Sequence, residues 1–139
     1  TDGQINRAEA RFMLKDLIAV AIGGGLGASG RYLAGMLARS LFQGEFPWGT
    51  LAVNVAGCFL IGLVVGKIGS SETTLRLFLV VGILGGFTTF SAFGYETLRL
   101  LQEGSPGAAF FNIAAQLLLG LAGVWAGASL AKGLWPLSG

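Results

Sequence analysis

Four apolar runs, at residues 17–41, 48–68, 75–101 and 108–130, take up most of a 139-residue chain. A helix needs about 20 mostly apolar residues to cross the hydrocarbon core of a bilayer, so each run is long enough to span it. With 53% hydrophobic and 12% charged residues and a mean hydropathy of +0.72, the chain reads as an all-α membrane protein of four transmembrane helices. It is long enough for one domain only, at 16–132. Its separators are compact and polar: Gln43-Gly44-Glu45-Phe46-Pro47, Gly69-Ser70-Ser71-Glu72-Thr73 and Gln102-Glu103-Gly104-Ser105-Pro106-Gly107. Short loops make successive crossings antiparallel, and four crossings return both termini to one side. Residues 1–15 read as an N-terminal tail or a helix lying at the membrane surface, and 133–139 as a C-terminal tail. The first fifteen residues carry mixed charge without a signal-peptide layout, so the tail is expected to be retained.

A net charge of +2 and a pI near 9.0 hint at nucleic acid in a soluble protein. Here the basic residues are scattered at the ends of apolar runs, where they serve as interface anchors and topology signals, and no nucleic acid is implied. The terminus side holds Lys15, Lys67, Arg76 and Lys132, with Arg7 and Arg11 farther out; the other side holds Arg39 and Arg99. The balance leans toward cytoplasmic termini, yet it is weak enough that insertion in both orientations stays open. Trp48 and Trp135 fall next to run ends, at headgroup level. Cys58 stands alone in an apolar run, which leaves neither a disulfide nor a cysteine metal site and makes it a small hydrophobe. So small a chain has little room for a pathway between its own helices, so self-association is expected.

Glycines recur four apart in every run: Gly23 and Gly27, Gly62 and Gly66, Gly82 and Gly86, Gly123 and Gly127. That spacing aligns them on one helical face and lets backbones approach closely, a packing role. The stretch Gly85-Gly86-Phe87-Thr88-Thr89-Phe90-Ser91-Ala92-Phe93 is different, because hydroxyls follow the glycines in the middle of a spanning segment. Irregular backbone at that depth survives only where protein buries it or water lines it. The stretch predicts a third helix broken near its middle, with freed carbonyls available to a cation.

Few polar side chains lie well inside the runs: Arg31, Asn54, Thr88, Thr89, Ser91, Glu96, Asn112 and Gln116. Arg31 can line a polar vestibule or anchor the fold by snorkelling. Glu96 can serve transport or pair with Arg99, three residues on. The amide of Asn54 offers two N–H donors to an anion without a positive charge that would trap it; an interhelical hydrogen bond is its other use. Asn112 and Gln116, four apart, form a polar stripe that turns toward the bundle interior or water. Phe90 and Phe93 share a face. Their ordinary use is lipid contact or core filling, but a phenyl edge is positive and can face an anion.

Three motifs, Gly27-Ala28-x-x-Arg31-Tyr32, Gly49-Thr50-x-x-x-Asn54-x-x-Gly57, and Gly85 to Phe93 with Glu96 after it, together resemble the Fluc (CrcB) family of fluoride channels. The resemblance covers the chain from about Lys15 onward, in the family's order. It implies an antiparallel, dual-topology homodimer in a bacterial or archaeal cytoplasmic membrane, with two fluoride pores along the subunit boundary. Asn54 is then expected to hydrogen-bond fluoride, and Phe90 and Phe93 to turn ring edges to the ion, one ring from each subunit per pore. The carbonyls of Gly85 and Thr88 are expected to hold a structural sodium ion (Na+) at the dimer centre. Thr89 and Ser91 belong to the same motif and face the pore or stabilise the break, while Arg31 takes a vestibule or structural role. The fourth run departs from the family's tyrosine and hydroxyl track, with Asn112, Gln116 and Gly120 at the corresponding positions. The first two would keep their donors as amides, and the third donor is missing. The implied function is passive export of fluoride, with no enzyme activity and no ATP-binding loop.

Two other classes stand beside this one. A small four-helix proton-coupled multidrug exporter needs a carboxylate embedded in the first run, where only Asp16 stands, at the edge. A small assembly subunit of a larger complex would explain the glycines but not the clustered Asn and Phe-Thr motifs.

Overall fold

The computed structural model describes residues 7–68 and 73–133. The separator at 69–72, residues 1–6 and the tail holding Trp135 lie outside the described residues. Among those described, the fold is entirely helical, with four segments long and apolar enough to cross a membrane.

Helix α1, Arg7–Leu41, runs 35 residues without interruption. At about 1.5 Å per residue it is roughly 52 Å long, well beyond a hydrocarbon core of about 30 Å. Arg7 to Lys15 therefore continues the first crossing and does not form a separate surface helix. The cause is local: Arg, Ala, Glu, Met, Leu and Lys are strong helix formers, and no glycine or proline falls between Arg7 and Ile22 to turn the chain. Gly44, at φ 117°, turns the following loop. Helix α2, Trp48–Lys67, begins after Pro47, whose carbonyl accepts from Leu51 N–H at 3.1 Å.

The third crossing comes in four pieces: α3 (Thr73–Arg76), a π-helical stretch Leu77–Leu84, α4 (Gly85–Phe87) and α5 (Phe90–Gln102). Helix α6, Pro106–Lys132, carries proline in its first turn, where no N–H is needed, and ends at Gly133 in the left-handed conformation (φ 61°).

Glycines decide which helices meet. A Cβ on Gly23 would stand 3.0 Å from the Gly82 Cα, one on Gly82 2.9 Å from the Gly23 Cα, and one on Gly86 3.1 Å from the Gly24 Cα. Helix α1 thus lies backbone to backbone on the π-helical stretch and α4. In the same way Gly62 faces Ala128 N at 2.8 Å, Gly127 faces Leu63 N at 2.9 Å and Gly123 faces Val55 O at 3.2 Å, which seats α2 on α6. Each of the four glycine pairs therefore packs helices, first run on third and second on fourth. Beyond the break, α5 leaves α1 and packs on α6 instead, burying Leu100 and Ala109 between them. The break lets one crossing serve two neighbours.

Candidate functional site

The interruption falls at Thr88 (φ −82°, ψ 160°) and Thr89 (φ −154°, ψ 115°), both extended. Gly85, where the sequence places the start of the break, is still helical at φ −63° and ψ −37°. The hydroxyl residues, not the glycines, leave the helix. Thr88 closes the first half by donating twice to Leu84 O, from N at 3.0 Å and from Oγ1 at 2.9 Å. Thr89 opens the second half, its Oγ1 accepting from Ala92 N at 3.2 Å. Gly57 leaves space for the Thr88 methyl, which any Cβ there would strike.

Asn54 repairs the gap from the neighbouring helix. Thr89 N–H donates to Asn54 Oδ1 at 2.8 Å, and Asn54 Nδ2 donates to Thr89 O at 3.0 Å. One side-chain amide thus satisfies both backbone polar groups of a residue that has left its helix, the condition for irregular backbone at membrane depth. The second N–H of Asn54 goes to Gln116 Oε1 at 3.1 Å.

The break also takes carbonyls out of the helical ladder, those of Gly85 and Thr88 among them. In an unbroken helix Thr89 N–H would meet Gly85 O and Ala92 N–H would meet Thr88 O; here they go to Asn54 and to Thr89 Oγ1. Carbonyl oxygens suit a hard cation, so the donor set at Gly85 and Thr88 fits one. Two per chain are too few to replace its water, and a second copy would have to supply the rest. Among the described residues, no group of His, Cys, Asp and Glu is placed to hold a metal.

Asn54, Gly85, Thr88, Thr89 and Phe90 line one cleft of about 280 Å³. Phe90 is 81% exposed and meets Phe93 edge-on, with ring centroids 5.4 Å apart and planes at 60°. Ser91 Oγ lies 3.3 Å from Thr89 Oγ1. Thr89 also lines a second cleft of about 330 Å³ with Arg31, Arg39 and Thr50. The break therefore stands between an arginine-lined cleft and a phenylalanine-lined one. Arg31 is half-buried there.

Glu96 and the fourth-crossing amides lie outside the Phe90 cleft. Glu96 Oε1 accepts from Thr50 Oγ1 at 2.8 Å, while Oε2 is buried without a partner. The same-face pairing of Glu96 with Arg99 is not formed. Arg99 donates instead from Nη2 to Glu45 O at 2.9 Å and stands 3.7 Å from Glu103 as an ion pair one turn on. Asn112 is wholly buried and donates to Thr97 Oγ1 at 2.9 Å; Thr97 in turn donates to Phe93 O at 2.8 Å. Thr97 was not singled out by the sequence. Its signal is spacing: it lies four residues after Phe93 and seven after Phe90, on the face those rings define.

Residues 18–128 match the family model described as "CrcB-like protein, Camphor Resistance (CrcB)". A curated relative from Agrobacterium fabrum, named "Fluoride-specific ion channel FluC", is 44% identical over 123 residues, 86% of this chain and 98% of its own. Relatives of the same name from Geobacter sulfurreducens and Flavobacterium psychrophilum are 46% and 40% identical, spanning 85% and 87% of this chain and 98% and 100% of theirs. With the family model matched over most of its length and such relatives matched nearly end to end, the chain belongs to the CrcB-like family.

Proposed function

We propose that the chain is a passive, fluoride-selective channel, working as an antiparallel homodimer with two pores and a structural sodium ion at its centre. The observation that carries this reading is the helix break, where an amide, two hydroxyls and the Phe90 ring gather beside a cleft of about 280 Å³ lined by no charged residue. Fluoride holds its water strongly, and burying it unpaired is prohibitive. A pore must replace water with contacts strong enough for entry and weak enough for release. Amide and hydroxyl donors and positive ring edges meet both demands, whereas a buried lysine or arginine would trap the ion.

Asn54 is pinned at both ends by Thr89, so the N–H it can lend an anion is the one directed at Gln116. Phe90, exposed on a single chain, gains its partner ring from the second subunit. The Gly85 and Thr88 carbonyls of both subunits would hold sodium, which supplies positive charge where two breaks meet. An inside-negative potential then drives the anion outward, at about 2.3 kcal/mol per 100 mV. No observation favours the exporter reading: Asp16, at the edge of the first crossing, accepts a hydrogen bond from Thr74 at 2.8 Å.

Efflux from liposomes tests the proposal. With a potassium ionophore present, fluoride leaves and chloride stays; Phe90→Ile and Phe93→Ile each abolish fluoride efflux with the dimer intact by size-exclusion chromatography. Equal chloride flux, a strict need for a proton gradient, or wild-type rates in both variants would sink it.

A further inference from the structure

Helix α1 outruns the hydrocarbon core, and its excess carries its basic residues on one side. The first apolar run begins at Leu17. At about 1.5 Å per residue, Lys15 stands about 3 Å, Arg11 about 9 Å and Arg7 about 15 Å beyond it along the axis. The headgroup layer is about 5–8 Å thick on each side of the hydrocarbon. Lys15 therefore stands within that layer and Arg11 at its outer edge, while Arg7 lies about one Debye length, about 8 Å, above its surface.

The helical register settles which way these charges face. At about 100° per residue, Arg7, Arg11 and Lys15 fall within about 80° of arc, and Ile18 and Ile22 fall on the same arc. Gly23 and Gly27, which seat α1 on the third crossing, and Asp16, which bonds Thr74, fall on an arc centred about 140° away, with Glu9 among them. The bundle side thus holds both acidic residues of this stretch, and the outward side holds all three basic ones. Ile18 and Ile22 are 50% and 56% exposed. Arg7, Arg11 and Lys15 are exposed as well, and among the described residues none of them pairs with an acid. Together with Ala8 and Phe12 they line an open groove of about 630 Å³.

We infer that this basic ridge is a binding surface for anionic phospholipid headgroups. Phosphate is the complementary charge, and Arg meets its oxygens with paired N–H donors. The occupant is a lipid because of what lies below the ridge: acyl chains that cover Ile18 and Ile22 bring their own headgroups to Lys15 and Arg11. A soluble phosphate gains nothing from that apolar face. The ridge lies outside residues 18–128, the stretch that matches the family model, so it is an addition to the transmembrane unit and not part of it. The inference rests on the membrane-spanning fold and is independent of fluoride conduction.

Native mass spectrometry of the full chain in detergent, offered equal amounts of phosphatidylglycerol and phosphatidylcholine, tests this. The wild-type chain should bind phosphatidylglycerol with a preference of about fivefold or more, the ratio that one Lys or Arg supplies at an anionic surface. Arg7→Gln, Arg11→Gln and Lys15→Gln combined should lower that ratio by about fivefold or more, whereas Arg7→Lys with Arg11→Lys should keep it. Equal binding of the two lipids by the wild-type chain would overturn the inference. So would a ratio that holds in the triple glutamine variant; if self-association fell in that variant at the same time, the ridge would belong to a second copy of the chain.

Discussion

At the scale of single residues, Asn54 is the pivot of the molecule. An amide can offer N–H to an anion, and that much is legible in the sequence. What the sequence hides is the second duty, because the Thr89 peptide that Asn54 holds lies 35 residues away and only folding brings it close. Thr97, and the partner of Thr50, were hidden for the same reason: each hydroxyl acts through a residue on another helix, Asn112 and Glu96. Glu96 and Arg99 show the converse, since sharing a helical face made them candidates for a pair that tertiary partners outcompete. Asn54→Leu keeps the volume but orphans both polar groups of Thr89. We expect a loss of about 2–6 kcal/mol, two unpaired buried groups at about 1–3 kcal/mol each, read as a lower unfolding temperature in detergent together with lost fluoride flux. Wild-type stability would show that Thr89 finds other partners.

At the scale of elements, the four crossings and their small-residue faces were legible because length and spacing carry them directly. Three features were not. The helix over Arg7 to Lys15 continues the first crossing, since nothing in its sequence makes a boundary at the membrane surface. The π-helical stretch Leu77–Leu84 differs from an α-helix in that each hydrogen bond spans one residue more, a difference an all-apolar run cannot display. The break itself falls three residues after Gly85: Gly86 is there for close approach to α1, while a Cβ on Gly85 would meet only Val80 O at 3.5 Å, and Gly85 keeps helical backbone angles. Glycine roles therefore divide by contact. Gly127→Ala forces a Cβ onto the backbone of Phe59 and Leu63 and should cost about 1–3 kcal/mol, as overpacking does. Gly25→Ala meets nothing within 4 Å and should be neutral or stabilising by up to about 1 kcal/mol. Thermal unfolding of the two variants side by side checks this, and equal behaviour would contradict the packing assigned to Gly127.

For the whole molecule, the break turns four crossings into two joined units. Helix α1 and the first half of the third crossing form one; α2, α6 and α5 form the other. Between them lie the Asn54–Thr89 pairing and the two clefts that share Thr89. An apolar exterior is what lipid requires, but Phe90 and Gly85 stand exposed beside the cleft, and in the proposed dimer a second copy gives both a partner. On the proposed function, selective, passive conduction is a property of that assembly, and the zero-current potential reports it directly. In a planar bilayer containing the purified protein, a tenfold fluoride gradient should set the reversal potential at about 59 mV, the value for one charge per ion, unmoved by chloride or pH gradients. A reversal potential that follows the proton or chloride gradient would contradict the account.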